Sequence, residues 1–228
     1  MKKRLVVLTG AGMSAESGIA TFRGAGGLWN NERVEDVATP EAFHRNPQKV
    51  LDFYNYRRKE LFKVEPNDGH RILAKLEDKF DVRIITQNVD NLHERAGSSN
   101  VLHLHGELMK ARSTDGSDEV YELYQENPEI HVGDKCPNGY QLRPHIVWFG
   151  EAVPEIENAV IEVEQADILL IIGTSLQVYP AAGLINYAPN NVPIYLIDPN
   201  EVSLHNNRVT VIQKGASEGM REFVDRMK

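Results

Sequence analysis

Only one cysteine, Cys136, occurs in the 228 residues, so no intrachain disulfide and no multi-cysteine metal cage can form. Long hydrophobic runs are missing as well. No apolar stretch approaches the ~18 residues of a membrane span, and RLVVLTG, following the basic MKKR, is too short for a secretory signal core. A soluble cytoplasmic protein without membrane attachment is expected. Positive charge is outnumbered: 25 Lys and Arg against 33 Asp and Glu give a formal net charge of −8. That balance speaks against nucleic acid, whose phosphates need a basic surface, and leaves lysine-rich protein segments as compatible partners. No internal repeat or low-complexity tract is evident. What remains, 41% hydrophobic residues in a chain of 228, suffices for one substantial core with a small appended lobe.

RLVVLT at the start has the composition of a buried strand, and similar runs recur at 82–86 (VRIIT), 101–104 (VLHL), 167–172 (DILLII), 193–197 (PIYLI) and 208–212 (RVTVI). Helical patterns separate most of them. Asn67 or Asp68 can cap a helix carrying Ile72, Leu73, Leu76 and Phe80, and Pro154 leads into another with Ile156, Val160 and Val163. Strand and helix in alternation predict an α/β fold, a Rossmann-like doubly wound parallel sheet. Two segments stand outside the alternation. Residues 39–64 hold two helix starts, Thr39-Pro40 and Asn46-Pro47, each a cap followed by proline. Residues 106–145 are polar, turn-rich and poorly helical. These two insertions, 39–64 and 106–145, are expected to form the small lobe, and 1–38, 65–105 and 146–228 the large one.

After the first strand, Gly10, Gly12 and Ala15 fit the G-x-G-x-x-G/A spacing of a turn that approaches nucleotide phosphates at a helix N-terminus. The spacing alone also fits a strand and glycine turn with no ligand. In an ordinary NAD-binding unit an acidic residue about 20 positions on closes a second strand; here no strand is written into that segment. Gly24, Gly26 and Gly27 instead make a long loop around Phe22, Arg23 and Trp29, which suits a lid over a ligand. Hydride transfer is therefore disfavoured.

Polar signatures follow three strands: TQNVDN after VRII, LHGEL after VLH and GTSLQVYP after LLII. Open α/β sheets bind ligands at the C-terminal ends of their strands, so Gln87, Asn88, Asp90, His105, Gly173, Thr174 and Ser175 are expected to face one crevice. Five motifs in order, GAGMSAESGIATFR, TQNVDNLHERAG, LHLHGEL, RPHIVWFGE and GTSLQVYPAAGL, resemble the sirtuins, the NAD-dependent protein-lysine deacylases. The resemblance covers nearly the whole chain as one catalytic unit.

It implies that NAD is consumed as a co-substrate. The acyl-lysine amide oxygen attacks the nicotinamide ribose carbon, nicotinamide leaves, and the acyl group passes to ADP-ribose. His105 takes the place of the general base, a role suited to a neutral imidazole, with Asn88 the other catalytic residue. To NAD binding the resemblance assigns Gly10, Ala11, Gly12, Ser14, Glu16, Ser17, Gly18 and Thr21, then Phe22, Arg23 and Trp29 on the loop. Gln87, Asn88, Val89, Asp90 and His105 line the ribose and nicotinamide side. Gly173, Thr174, Ser175, Asp198, Pro199, Asn200 and Ala216 complete the set. Val147, Phe149, Gly150 and Glu151 resemble the segment that pairs with substrate peptide. His103, two residues before His105, reads as structurally satisfied.

Tyr54 and Arg57 sit at i and i+3 on one helical face. Their Y-x-x-R pattern resembles sirtuins that remove succinyl and malonyl groups, the guanidinium fork gripping the acyl carboxylate, and Ala25 leaves room for a longer chain. Taken singly, Tyr54 reads as a core aromatic and Arg57 as a solvated cation. Two further functions stay open: a non-catalytic NAD or ADP-ribose sensor, and a mono-ADP-ribosyltransferase.

The family pattern fails in one place. Sirtuins usually carry four cysteines around a structural zinc, whereas here Ser113 stands where the first pair would begin and only Cys136 remains. Ser113, Asp115, His131 and Cys136 lack the spacing of a zinc site, so no metal is expected. Packing by Tyr121, Leu123, Tyr124, Ile130 and Tyr140 is expected to hold the lobe instead. A monomer is expected.

Overall fold

A computed structural model describes residues 2–21, 28–29, 32–174, 176, 178–201 and 208–228. Six parallel strands lie side by side in the order Val209–Ile212, Ile194–Ile197, Ile168–Ile172, Arg4–Thr9, Asp81–Thr86 and Val101–His103. The first strand is central, and the chain builds outward on both sides of it, which is the doubly wound Rossmann order. The order reverses between Arg4–Thr9 and Ile168–Ile172, paired Leu5 to Ile168 through Thr9 to Ile172. A crevice opens outside the carboxyl ends of strands at such a reversal.

The four inner strands are buried on both faces, which explains why they read as nearly continuous apolar runs, whereas the edge strands Val101–His103 and Val209–Ile212 are only partly buried. Val6, Leu8, Leu169, Ile171 and Leu196 point into one layer, closed by the helix Ile156–Glu164 and the 3₁₀ segment Ala181–Tyr187. Leu5, Val7, Ile84, Leu170 and Ile172 point into the other, under the helices Asp68–Leu76 and Ala216–Arg226. Asn67 caps the first of that pair in a reciprocal box with His70. Thr39 and Asn46 cap Pro40–Arg45 and Pro47–Leu61 by accepting from Ala42 N and Lys49 N, each at 3.0 Å, as the two cap-proline pairs predict.

Among the described residues, the insertion after His105 holds no helix, in line with its sequence, but forms strands that the sequence did not announce. It is a three-stranded antiparallel sheet, with Gly106–Ser113 between Val120–Glu122 and Leu142–Ile146. In Gly106–Ser113 the half-buried Glu107, Lys110 and Arg112 intersperse with buried Leu108 and Ala111, and a register shift between Gly106 and Ala111 breaks the period of two. A second short pairing, Leu28–Trp29 with Glu32–Arg33, lies where no strand was expected. Helix Pro47–Leu61 is stapled to the three-stranded sheet by buried polar side chains. Asn55 Nδ2 donates to Ile130 O at 2.9 Å while its Oδ1 accepts from Ile130 N at 3.0 Å, and Arg58 Nε donates to Leu108 O at 2.7 Å.

Of the aromatic and aliphatic residues expected to hold this lobe, Ile130 is buried with Leu51 and Ala111, and Tyr121 and Leu123 pack against them. Tyr124 and Tyr140 do not contribute, being 69% and 53% exposed. At the place of the missing cysteines Ser113 Oγ donates to Cys136 Sγ at 3.3 Å. Among the described residues no group of three His, Cys, Asp or Glu side chains is arranged to hold a metal. Nor is any described helix long and apolar enough to cross a membrane.

Candidate active site

The crevice at the strand reversal has a volume of about 390 Å³. Gly10, Ala11, Gly12, Ser14 and Thr21 form one wall, and Gln87, Asn88, Val89, Asp90 and His105 another. Gly173, Thr174, Asp198 and Asn200 lie along the far strands, and Tyr54 and Arg57 of the helix Pro47–Leu61, with Val147, Phe149, Gly150 and Glu151, close the remaining side. The fold thus gathers residues of all five motifs into one cavity.

Glycine is required at its floor for a reason the spacing does not reveal. A Cβ on Gly12 would lie 2.6 Å from Gly173 Cα, and one on Gly173, whose φ is +61°, would lie 2.4 Å from Gly12 C and Met13 N. The close approach is backbone to backbone across the strand reversal, and Gly12 N–H is consumed by Gly173 O at 2.9 Å and Gly10 N–H by Ile172 O at 3.0 Å. Those two amides are therefore not donors to a ligand.

Asn88 is anchored from two sides. Its Nδ2 donates to Gly10 O at 3.0 Å and to Ser14 Oγ at 3.1 Å, and its backbone N–H donates to Thr86 Oγ1 at 3.0 Å. Asp90 accepts from Ser14 Oγ at 3.0 Å and from Leu92 N at 3.1 Å, while burial pushes its carboxyl above the usual range. Gln87 Nε2 donates to Thr174 Oγ1 at 3.0 Å, linking the two halves of the crevice.

His105 has its Nδ1 3.1 Å from Gln87 O. A carbonyl oxygen only accepts, so Nδ1 carries the proton and Nε2 keeps a lone pair. Burial lowers its pKa, against a smaller opposing effect of that carbonyl. The ring is thus a neutral base at physiological pH.

On the opposite wall Tyr54 is fully buried, and its hydroxyl accepts from Trp148 Nε1 at 3.0 Å. Burial pushes its pKa up to about 12 and brings that of Arg57 down to about 10, so at neutral pH they are a phenol and a guanidinium cation. Glu151 is committed to structure: it pairs with Arg143 at 2.6 and 3.0 Å and accepts from Trp148 N at 2.8 Å.

Several expected residues lie off the cavity wall. Glu16 accepts from Ser217 N at 3.2 Å and so braces the start of the last helix. Ser17 Oγ accepts from Asn67 Nδ2 at 3.1 Å, Gly18 turns the chain at φ +95°, and Ala216 is buried beneath the sheet. Pro199 sits between two lining residues without lining the crevice itself. Phe22, Arg23, Ala25 and Ser175 lie outside the described residues, as does the side chain of Trp29. Conversely, Ile19, Ala38, Trp148, Val153, Val178 and Tyr179 line the crevice without having been singled out. Ile19, Trp148, Val178 and Tyr179 lie within the five motifs without having been picked out individually; Ala38 and Val153 lie outside them and are brought in by the fold.

The Sir2 family model matches residues 10–180. A protein named NAD-dependent protein deacylase from Bacteroides thetaiotaomicron is 61% identical over 97% of this chain and 96% of its own. One of the same name from Helicobacter pylori is 51% identical over 99% and 97%. Among solved structures, a Sir2 homologue in complex with NAD superposes with a TM-score of 0.87 at 44% identity, covering 99% of this chain and 89% of that one. A Sir2 complex with a p53 peptide and NAD⁺ superposes at 0.81 with 28% identity, over 99% and 94%.

Proposed function

The chain belongs to the Sir2 family and is an NAD-dependent protein deacylase, and we propose that it removes acidic acyl groups, succinyl and malonyl, as well as acetyl, from protein lysines. The observation that carries the acyl preference is the position of Tyr54 and Arg57 in the wall of the crevice that also contains His105 and Asn88. A desolvated guanidinium one helical turn from a phenol suits a ligand carboxylate, which adds charge and hydrogen bonds at once.

Bound NAD supplies the electrophilic ribose carbon and the nicotinamide leaving group. The residues present fit that molecule: backbone turns at the strand reversal, hydrogen-bonding side chains at one end, and Asp198 with Asn200 at the other. In this reading Asn88, Gln87 and Asp90 hold the ribose and carboxamide, Ala11 and Thr21 border the diphosphate, and His105 Nε2 accepts a proton from a ribose hydroxyl. Val147, Phe149 and Gly150 border the peptide, and the Arg143 pair fixes Glu151 at the end of that segment. A panel of acetyl-, succinyl- and malonyl-lysine peptides assayed for nicotinamide release tests it. Acetyl peptide turned over with the acidic peptides inert would overturn the acyl preference, and no release from any peptide would favour a sensor.

A further inference from the structure

His103 ends the strand Val101–His103 with both of its ring nitrogens occupied. Nδ1 lies 3.0 Å from Asn88 O and Nε2 2.8 Å from Glu94 Oε1. Neither a carbonyl nor a carboxylate oxygen can donate, so each ring nitrogen must carry a proton. Only the imidazolium satisfies both. With its side chain 7% exposed, the cation is held by the protein and not by water.

The charged and titratable groups facing it come from three elements. Glu94 and His93 stand on the helix Leu92–Arg95, Glu107 on the strand Gly106–Ser113, and Asp90 in the turn that follows Asp81–Thr86. Burial disfavours the charged ring, but the Glu94 carboxylate, then Glu107 and the Asn88 carbonyl, outweigh it, and the net direction is upward. Asn88 in turn holds Gly10 O and Ser14 Oγ through its side chain, so a shift of its backbone is felt at the glycine turn as well.

We propose that His103 is a positioning residue for deacylation: an imidazolium clamped between Asn88 O and Glu94, it fixes the turn bearing Asn88 and Asp90. Loss of its proton removes one of the ring's two anchors and one of the two positive charges, with that of Arg57, that act on buried Asp90, and activity falls on the alkaline side. The inference rests on the reading of Asn88 and Asp90 as ribose- and carboxamide-binding residues. No short motif encodes the pair, since Glu94 belongs to one element and His103 to another.

Three variants of the full chain test it: Glu94→Gln, His103→Asn and His103→Gln. Glu94 is half exposed, so its substitution leaves the core intact. The asparagine amide reaches where Nδ1 stands but does not titrate; the glutamine amide reaches toward Glu94 and abandons Asn88 O. In nicotinamide release with acyl-lysine peptide at saturating NAD, Glu94→Gln is expected to move the alkaline limb of kcat down by about one pH unit, an opposite charge having been removed. His103→Asn is expected to abolish that limb, and His103→Gln to lower kcat on the order of tenfold. Proton–nitrogen NMR of the wild-type ring is expected to show both nitrogens protonated at neutral pH, with the proton lost at lower pH in Glu94→Gln. A neutral wild-type ring, or an alkaline limb unmoved in Glu94→Gln, overturns the inference while leaving deacylation standing. Failure of the wild type to release nicotinamide would instead strike the underlying reading.

Discussion

Trp148 Nε1 donates a 3.0 Å hydrogen bond to the hydroxyl of Tyr54, 94 positions away, and so fixes the phenol in the crevice wall one helical turn from Arg57. Combining Tyr54→Phe with Arg57→Met removes both the hydroxyl and the cation. Desuccinylation is expected to be lost and deacetylation spared; equal loss of both would sink the assignment. Phenylalanine also strands the buried indole N–H, a cost of about 1–3 kcal/mol in stability. The comparison must therefore be made between acyl groups on the same variant protein.

His105 predicts the acid side of the rate profile. Burial lowers its pKa below the ordinary 6.5, so the base stays neutral until the solution is more acidic than that, and kcat falls only below it. Replacing His105 with Ala should cost about 10²–10⁴-fold in nicotinamide release, the usual contribution of a general base. An acid limb at or above 6.5 would place the base elsewhere.

The six-stranded sheet was legible because its inner strands, buried on both faces, are written as runs such as ILLII, and the polar signatures TQNVDN and GTSLQVYP follow such runs directly. The small sheet was not, because Gly106–Ser113 mixes Glu107, Lys110 and Arg112 with Leu108 and Ala111 and shows no apolar run. Within the site, residues carried by motifs, Gln87, Asn88, Asp90 and His105 among them, converge as expected. Trp148 and Tyr179 arrive inside motifs without having been named in them, whereas Ala38 and Val153 lie outside every motif and reach the crevice only through tertiary packing. Glu16 braces the last helix by accepting from Ser217 N, a contact across some two hundred positions that local spacing does not express.

Gly173→Ala is expected to destabilise the protein by more than a helix-surface glycine would, by about 2–4 kcal/mol, since the new Cβ meets backbone atoms of Gly12 and Met13 that cannot swing aside. Gly116, also at positive φ but with nothing within 4 Å of an added Cβ, is the control: only the backbone strain of about 1 kcal/mol applies there. Urea unfolding of the two variants measures the difference. Equal midpoints would show that the strand reversal relaxes more than its packing implies.

Metal content tests the small lobe. One cysteine and the 3.3 Å Ser113 to Cys136 contact leave that end of the sheet to hydrogen bonding and packing. Purified protein is expected to contain no stoichiometric zinc, and a chelator to leave its melting temperature unchanged. Ser113→Ala removes the bond to Cys136 and the one that Ser113 Oγ accepts from Asp115 N at 3.2 Å, and should cost about 1–2 kcal/mol. One zinc per chain would overturn this account of the lobe.

Two further histidines set the acid stability. His70 and His93 are fully buried with ring centroids 4.9 Å apart, and burial lowers both pKa values, that of His70 to about 4. In the unfolded chain they titrate near 6.5, so between that value and about 4 the unfolded state binds protons that the folded state refuses. Stability therefore falls as pH falls through that window, by about 3 kcal/mol for His70 alone. His103 acts in the opposite sense: its raised pKa gives stability that is present in acid and lost as pH rises through the folded value. Urea midpoints across the pH range should thus peak between the two effects. His70→Asn should flatten the acid slope by about one proton. An unchanged slope in that variant would show that acid unfolding begins at groups other than this buried pair.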